Sequence, residues 1–347
     1  MRSTRSLQRR PLGETSLELP MLGFGAAPVG NLYRPLSDEA ARATLVQARA
    51  EGIGYFDTAP HYGFGLSERR LGAALGRESL TISTKIGRRL EPIAPEARRA
   101  VRFGFAGAPD LTPVFDYSYE GVLSQLEASR ERLGRRPHIV YAHDLGALTH
   151  GDDDGFYWEQ FCQGGYRALQ EWKQQGLIHA IGLGVNEIAV CERALAELDI
   201  DVLLLAGRYT LLEQAALERL LPACEVNGVS VVIGGAFNSG ILATGVQGEG
   251  PFHYNYEPAP VNVIERVAAL ETVCADFDVP LPAAALQFPS AHPAVVSVIA
   301  GCATAEEVHQ AKVWMDHPIP SAFWDALKEQ QLLVGNAPVP AEGDPVS

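Results

Sequence analysis

Gly52-Ile53-Gly54-Tyr55-Phe56-Asp57-Thr58-Ala59-Pro60-His61-Tyr62-Gly63 carries the pattern that repeats through the chain. Residues 54–58 form a short apolar run that closes on an acid. Pro60 and Gly63 then break it, since proline lacks a backbone donor and glycine reaches conformations closed to other residues. An amphipathic segment, 67–75, follows. Outward from here the same unit recurs. Strand-like runs fall at 21–26, 54–58, 80–86, 138–143, 179–185, 202–205, 230–236 and 295–300, and several are almost wholly apolar, as strands buried on both faces are. Between them lie helix-like stretches. The first starts at the capping run Ser37-Asp38-Glu39 and heads towards Glu51; the others are 67–75, 119–133, 166–175, 188–198, 215–225, 261–277 and 305–315. Eight strands alternating with eight helices predict a parallel (β/α)8 TIM barrel, in which each strand has two neighbours and no edge is left unpaired. A doubly wound open sheet is the competing arrangement.

The flanks add detail. Residues 7–19, with Gly13-Glu14 in the middle, read as a hairpin ahead of the first strand, placed to plug one end of the barrel. A last helix is expected over 321–333, and the Pro- and Ala-rich tail 336–347 is expected to be mobile. The chain 1–347 therefore reads as one barrel domain. Two connections, 87–118 and 237–260, are long, and both leave the carboxyl ends of strands, the face where barrel enzymes build their sites.

A net charge of −14 argues against nucleic acid or anionic membrane as a partner, because either calls for a basic patch. No apolar run nears the roughly 20 residues of a membrane span, and the basic first residues lack the apolar core of a secretory signal. Five dispersed cysteines without a Cys-x-x-Cys pair read as reduced thiols. The expectation is a soluble, cytoplasmic protein acting on a small molecule, with its oligomeric state open.

Four residues at or after strand ends carry chemistry. Asp57 closes the second strand, Tyr62 follows in its loop, Lys85 lies near the end of the third, and His143 ends the fourth. The carboxyl ends of consecutive strands converge on one rim, so these four can share a pocket. A buried lysine needs a partner, and Asp57 can be it. An ammonium beside a phenol favours the phenolate, and a histidine can hold the substrate oxygen. Taken singly, each has a blander reading as a packed or paired residue, and His61 reads as loop packing.

The quoted stretch, followed by Ser67-Glu68 and Leu71-Gly72, resembles the signature of the aldo-keto reductases, and the similarity runs from about Leu12 to the helix after Ala305. That resemblance implies Tyr62 as acid–base, supported by Lys85, Asp57 and His143. It also implies a nicotinamide cofactor across the carboxyl-end rim and no metal. Gly23-Phe24-Gly25 is no Rossmann turn, since Pro28 stands where a third glycine is required. Resemblance instead implicates Asn186 at the carboxamide, Phe237, Asn238, Ser239 and Gly240 over the pyrophosphate, and Gly301, Thr304 and Glu307 at the ribose. The family's usual Gln and stacking aromatic fall at Ala206 and Gly234, leaving Arg208 or Tyr209 as substitutes. Glu307, where NADP users carry Arg, would repel a 2′-phosphate, so NAD is the expected cofactor, with NADP as the alternative.

Within the family the chain is similar to the D-threo-aldose (L-fucose, L-galactose) 1-dehydrogenases, through residues 208–214, 237–240 and 254–260. This implies oxidation of the anomeric hydroxyl of a sugar such as L-fucose, L-galactose or D-arabinose to a lactone. A pyridoxal 4-dehydrogenase, a general NADPH aldehyde reductase and a redox-sensing subunit with little turnover are the alternatives. For sugar binding, the loops offer Tyr33, Phe64, His253, Tyr254 and Tyr256 with Asn238 and Asn255.

Overall fold

The computed structural model describes residues 4–75 and 79–341. Eight strands run parallel in a closed ring: β1 Leu22–Gly25, β2 Tyr55–Asp57, β3 Thr81–Pro92, β4 Ile139–His143, β5 Ala180–Val185, β6 Val202–Ala206, β7 Ser230–Gly234 and β8 Val295–Gly301. Each pairs with the next, and β8 returns to β1 through Val298 opposite Leu22. This is the predicted (β/α)8 barrel, with every strand within a residue or two of its expected start.

Helices surround the ring: α1 Asp38–Ala50, α2 Leu66–Leu75, α3 Tyr119–Leu133, α4 Tyr166–Gln174, α5 Ile188–Glu197, α6 Leu220–Val226, α7 Val261–Asp276, α8 Leu281–Ser290, α9 Ala305–Asp316 and α10 Ser321–Glu329. Ser37 caps α1 by accepting from the Ala40 N–H, as its sequence position implies. The expected alternation is one helix short. Between β7 and β8 the element packed on β8 and α9 is α8, whereas α7 lies outside it against α10. Nearly every residue of α8 is buried, so it shows no polar face and no helical period to read.

The hairpin closes the amino-terminal end of the barrel. Residues Arg9–Pro11 pair antiparallel with Glu18–Pro20, and the Gly13 N–H donates to Ser230 Oγ at the start of β7. Leu12 and Leu19, both fully buried, join the barrel-interior cluster that includes Tyr55, Ile139, Tyr141, Val202, Val232 and Ile299. Above this apolar plug the Tyr55 phenol meets Ser83 Oγ at 3.0 Å and Tyr141 OH at 3.2 Å. The barrel interior therefore grades from hydrocarbon through phenols to the charged rim.

The long 87–118 connection is ordered. β3 continues beyond the barrel, and Gly87–Pro92 pairs antiparallel with Leu111–Asp116. At the far end a small hairpin, Val101–Arg102 with Phe105–Ala106, folds back onto the β1–α1 loop, where Tyr33 N–H donates to Gly104 O and Asn31 Nδ2 to Ala106 O. At the carboxyl terminus, Ala337 is buried and Val339 packs on the core, so the tail expected to be mobile is instead packed over residues 337–340; residues 342–347 lie outside the described residues. Among the described residues, no helix is long and apolar enough to cross a membrane.

Candidate active site

Asp57 and His143 end β2 and β4, Lys85 lies where β3 leaves the barrel, and all three are buried. Lys85 Nζ donates to Asp57 Oδ2 at 2.7 Å and to the Thr58 carbonyl at 2.9 Å, and Ser83 Oγ donates to Asp57 Oδ1 at 2.7 Å. The pair is thus hydrogen-bonded on both sides, the condition under which a charge tolerates a low-dielectric interior. Burial raises the Asp57 carboxyl above the ordinary range, and the Lys85 ammonium and Ser83 hydroxyl oppose that rise.

Tyr62 reaches the same place from the β2–α2 loop. Lys85 Nζ lies 4.6 Å from its ring centroid, and the His143 ring meets it edge-on at 5.9 Å. Two glycines fix this loop. Gly63 has φ +63°, and a Cβ there would lie 2.2 Å from Gly30 O; a Cβ on Gly30 would meet the Tyr62 carbonyl at 2.8 Å. The β1–α1 loop therefore passes directly over the Tyr62 peptide. The rest of the quoted signature is scaffold: Ser67 Oγ donates to Ala26 O, Glu68 accepts from Thr84 and Arg132, and Gly72 lets α2 touch the end of α3.

The four expected residues are together, but the electrostatics differ from the simplest expectation. The Tyr62 phenol is held well above its ordinary range, first by burial and then by the charges of Asp57, Asp144 and Tyr256, with Arg88 pulling the other way. Burial holds the His143 imidazole well below its ordinary range, helped by the positive charges of Lys85 and Arg88. At neutral pH the pocket offers a protonated phenol and a neutral imidazole. One His143 nitrogen is buried without a partner, while Nε2 lies 3.5 Å from Asp144.

A supporting layer was not singled out from the sequence. Asp144 accepts from Arg88 at 2.6 Å, and the Tyr117 phenol donates to the His143 carbonyl at 2.6 Å. The available signal was adjacency: Asp144 follows His143, and Arg88 opens the Arg-rich stretch after β3.

The expected cofactor residues line the opposite arc of the rim. Ala206 and Gly234 are directly paired across β6 and β7. Tyr209 does not replace them: it is fully buried against Phe288 and His292. Arg208 stays at the rim, donating to the Asn186 carbonyl at 2.7 Å and to Asn255 Oδ1 at 2.9 Å. Phe237 packs edge-on against Trp314 and starts a turn in which Asn238, Ser239 and Gly240 all have positive φ. Asn238 Oδ1 is buried with no partner, and Tyr256 N–H donates to Ser239 Oγ. At α9, Thr304 caps the helix, and the Glu307 carboxylate accepts from Ala303 N–H at 2.6 Å and pairs with Arg34 at 3.1 Å. Gly301 ends β8 beside Gly25. A Cβ-poor floor with an orphaned amide oxygen beside it fits a flat, polar-edged ring such as nicotinamide.

Residues 21–331 match the aldo/keto reductase family. The chain belongs to that family. This aldo-keto reductase is 41% identical over 341 residues to a pyridoxal 4-dehydrogenase of Microbacterium luteolum, covering 95% of this chain and 99% of that protein. It is 39% identical over 324 residues to a D-threo-aldose 1-dehydrogenase of a Pseudomonas species, covering 91% and 95%. Among solved structures, glycerol dehydrogenase from Gluconobacter oxydans superposes with TM-score 0.74 at 18% identity, covering 98% of this chain and 99% of that one. An aldo-keto reductase from Bacillus halodurans in its holo form gives 0.73 at 24%, covering 96% and 98%. Those two likenesses concern the fold. The protein is an oxidoreductase of a family that uses nicotinamide nucleotides.

Proposed function

We propose that this aldo-keto reductase oxidises the ring hydroxyl of a cyclic hemiacetal to a lactone, with an aldose of the L-fucose, L-galactose or D-arabinose type as substrate and NAD as preferred cofactor. The observation that carries the reading is the pocket in which Tyr62, neutral His143 and the Lys85–Asp57 pair meet. A nicotinamide bound across the rim supplies the hydride acceptor. The chain's own residues handle the proton and the position. Tyr62, in its deprotonated form, takes the hydroxyl proton as the carbonyl forms, and His143, being uncharged, holds the same oxygen by a hydrogen bond without competing for the proton. Lys85 and Asp57 keep the loop-borne phenol over the reacting carbon.

Asn186, the 237–240 turn, Gly301 and Thr304 are the residues proposed to hold the dinucleotide. Preference for NAD rests on Glu307, whose carboxylate occupies the Ala303 N–H that a 2′-phosphate would need.

A second reading has its own support. Phe105 packs against Tyr62, and the largely exposed Phe103 of the same hairpin lies beside His61, an aromatic edge suited to a planar aromatic substrate. Pyridoxal, which closes on itself as a hemiacetal, would meet the same chemistry there.

Reduction of NAD and of NADP in parallel, with L-fucose, L-galactose, D-arabinose and pyridoxal, tests the choice. NADH formation with the sugars supports the aldose reading, and with pyridoxal alone the second. Silence on all four with NADPH oxidised by open-chain aldehydes overturns both. Tyr62→Phe is expected to remove turnover while leaving NADH binding, measured by fluorescence titration, within about twofold of the parent.

A further inference from the structure

The pocket contains a second imidazole that the proposed chemistry does not use. His61 precedes Tyr62, and its ring centroid is 6.0 Å from that of His143. Three aromatic rings hold it in place: Phe105 edge-on at 5.4 Å, Phe103 edge-on at 5.9 Å and Phe64 at 6.2 Å. Phe103 and Phe105 come from the small hairpin of the 87–118 excursion. That hairpin is tied down by the backbone bonds to residues 31–33 and by Arg102, which stacks over Phe64 and donates to the carbonyls of Ala108, Pro109 and Leu111. A side chain pinned this firmly does not swing out to solvent.

Packing alone does not account for it. Nδ1 of His61 is buried with no hydrogen-bond partner, and among the described residues neither ring nitrogen makes a hydrogen bond. Phenylalanine would pack against the same three rings without that penalty. Burial and the charges of Arg88 and Lys85 hold the imidazole down to about 3, so at neutral pH it carries one donor and one acceptor. Two neutral imidazoles at this separation can each reach an oxygen about 2.8 Å away, provided that the two oxygens sit on neighbouring carbons.

We propose that His61 is a specificity-determining residue that hydrogen-bonds the hydroxyl on the carbon next to the reacting one, while His143 holds the reacting oxygen. The inference rests on the hemiacetal reading and sharpens its substrate class: cyclic hemiacetals carrying a vicinal hydroxyl. A site built around a hydrogen-bonding group discriminates against an analogue lacking its partner, because the buried group is then left unpaired.

The test compares L-fucose with 2-deoxy-L-fucose as substrates of the parent and of His61→Phe. The parent is expected to favour L-fucose by about tenfold or more in kcat/KM, and His61→Phe to bring the two within about twofold. The readout is a ratio on one protein, so a general loss of activity cancels; His61→Ala serves the same comparison should the larger ring fail to fold. A parent that does not discriminate, or a preference kept undiminished in the variant, overturns the proposal while the hemiacetal reading stands. A parent inert towards both sugars and towards pyridoxal overturns that reading and the proposal with it.

Discussion

Tyr62 is legible from its place after a strand end, but its protonation follows from burial and from carboxylates both near it in sequence, Asp57, and far from it, Asp144. With burial, Asp57 and Asp144 all favouring the neutral phenol, oxidation waits on a group that gives up its proton reluctantly. The deprotonated fraction of such a group keeps growing with pH until its raised value is passed. The oxidation rate is therefore expected to climb from about pH 7 to about pH 9 without a plateau, while reduction, which uses the protonated form, stays flat over that range. A plateau near neutrality in the kcat profile for oxidation would show that Tyr62 does not limit it. Lys85 carries a different prediction. Lys85→Met leaves the Asp57 carboxylate buried without its counter-charge, at a cost of about 3–5 kcal/mol in urea unfolding. Adding Asp57→Asn removes that stranded charge and is expected to recover part of the loss; an unchanged midpoint in the single variant contradicts the pairing. Sequence position was enough to bring these residues together, since strand ends meet on one rim. It could not assign Tyr209, offered as a ring holder, because its burial depends on Phe288 and His292 some 80 residues later.

At the scale of elements, some segments carry local signals in their sequence and others owe their form to packing. Strands announced themselves through continuous apolar runs, and α1 through its Ser37 cap. α8 gave no such sign: wedged beside β8 and α9, it is apolar on all sides, and residues 281–290 resemble nothing periodic. The start of α9 shows how one carboxylate serves both folding and selectivity. Thr304 and Glu307 cap the helix reciprocally, Thr304 Oγ1 accepting from Glu307 N–H and Glu307 accepting from Ala303 N–H. Glu307→Gln keeps an acceptor for the cap, removes the repulsion and releases Arg34 from its ion pair. NADP is expected to gain at least severalfold in kcat/KM relative to NAD, with the melting temperature nearly unmoved. A cofactor ratio unchanged by the substitution would place the discrimination elsewhere on the rim.

Taken whole, the molecule separates stability from chemistry along the barrel axis. The hairpin seals the amino-terminal end with Leu12 and Leu19, and the apolar cluster it completes continues up to Tyr55 and Tyr141, directly beneath the Asp57–Lys85 pair. Closing the ring removes every strand edge, so the interior can be filled from one end and left open at the other. The plug is consequently expected to matter for folding and not for binding. Leu19→Ala deletes a fully buried side chain from a cluster walled by rigid strands, which cannot collapse around the void, and is expected to cost about 2–5 kcal/mol in chemical denaturation. Cofactor affinity should stay within about twofold of the parent, because no residue of the hairpin reaches the carboxyl-end rim. A large loss of affinity with little loss of stability would mean that the phenol layer transmits strain from plug to site, so that the barrel works as one coupled column and not as two separable ends.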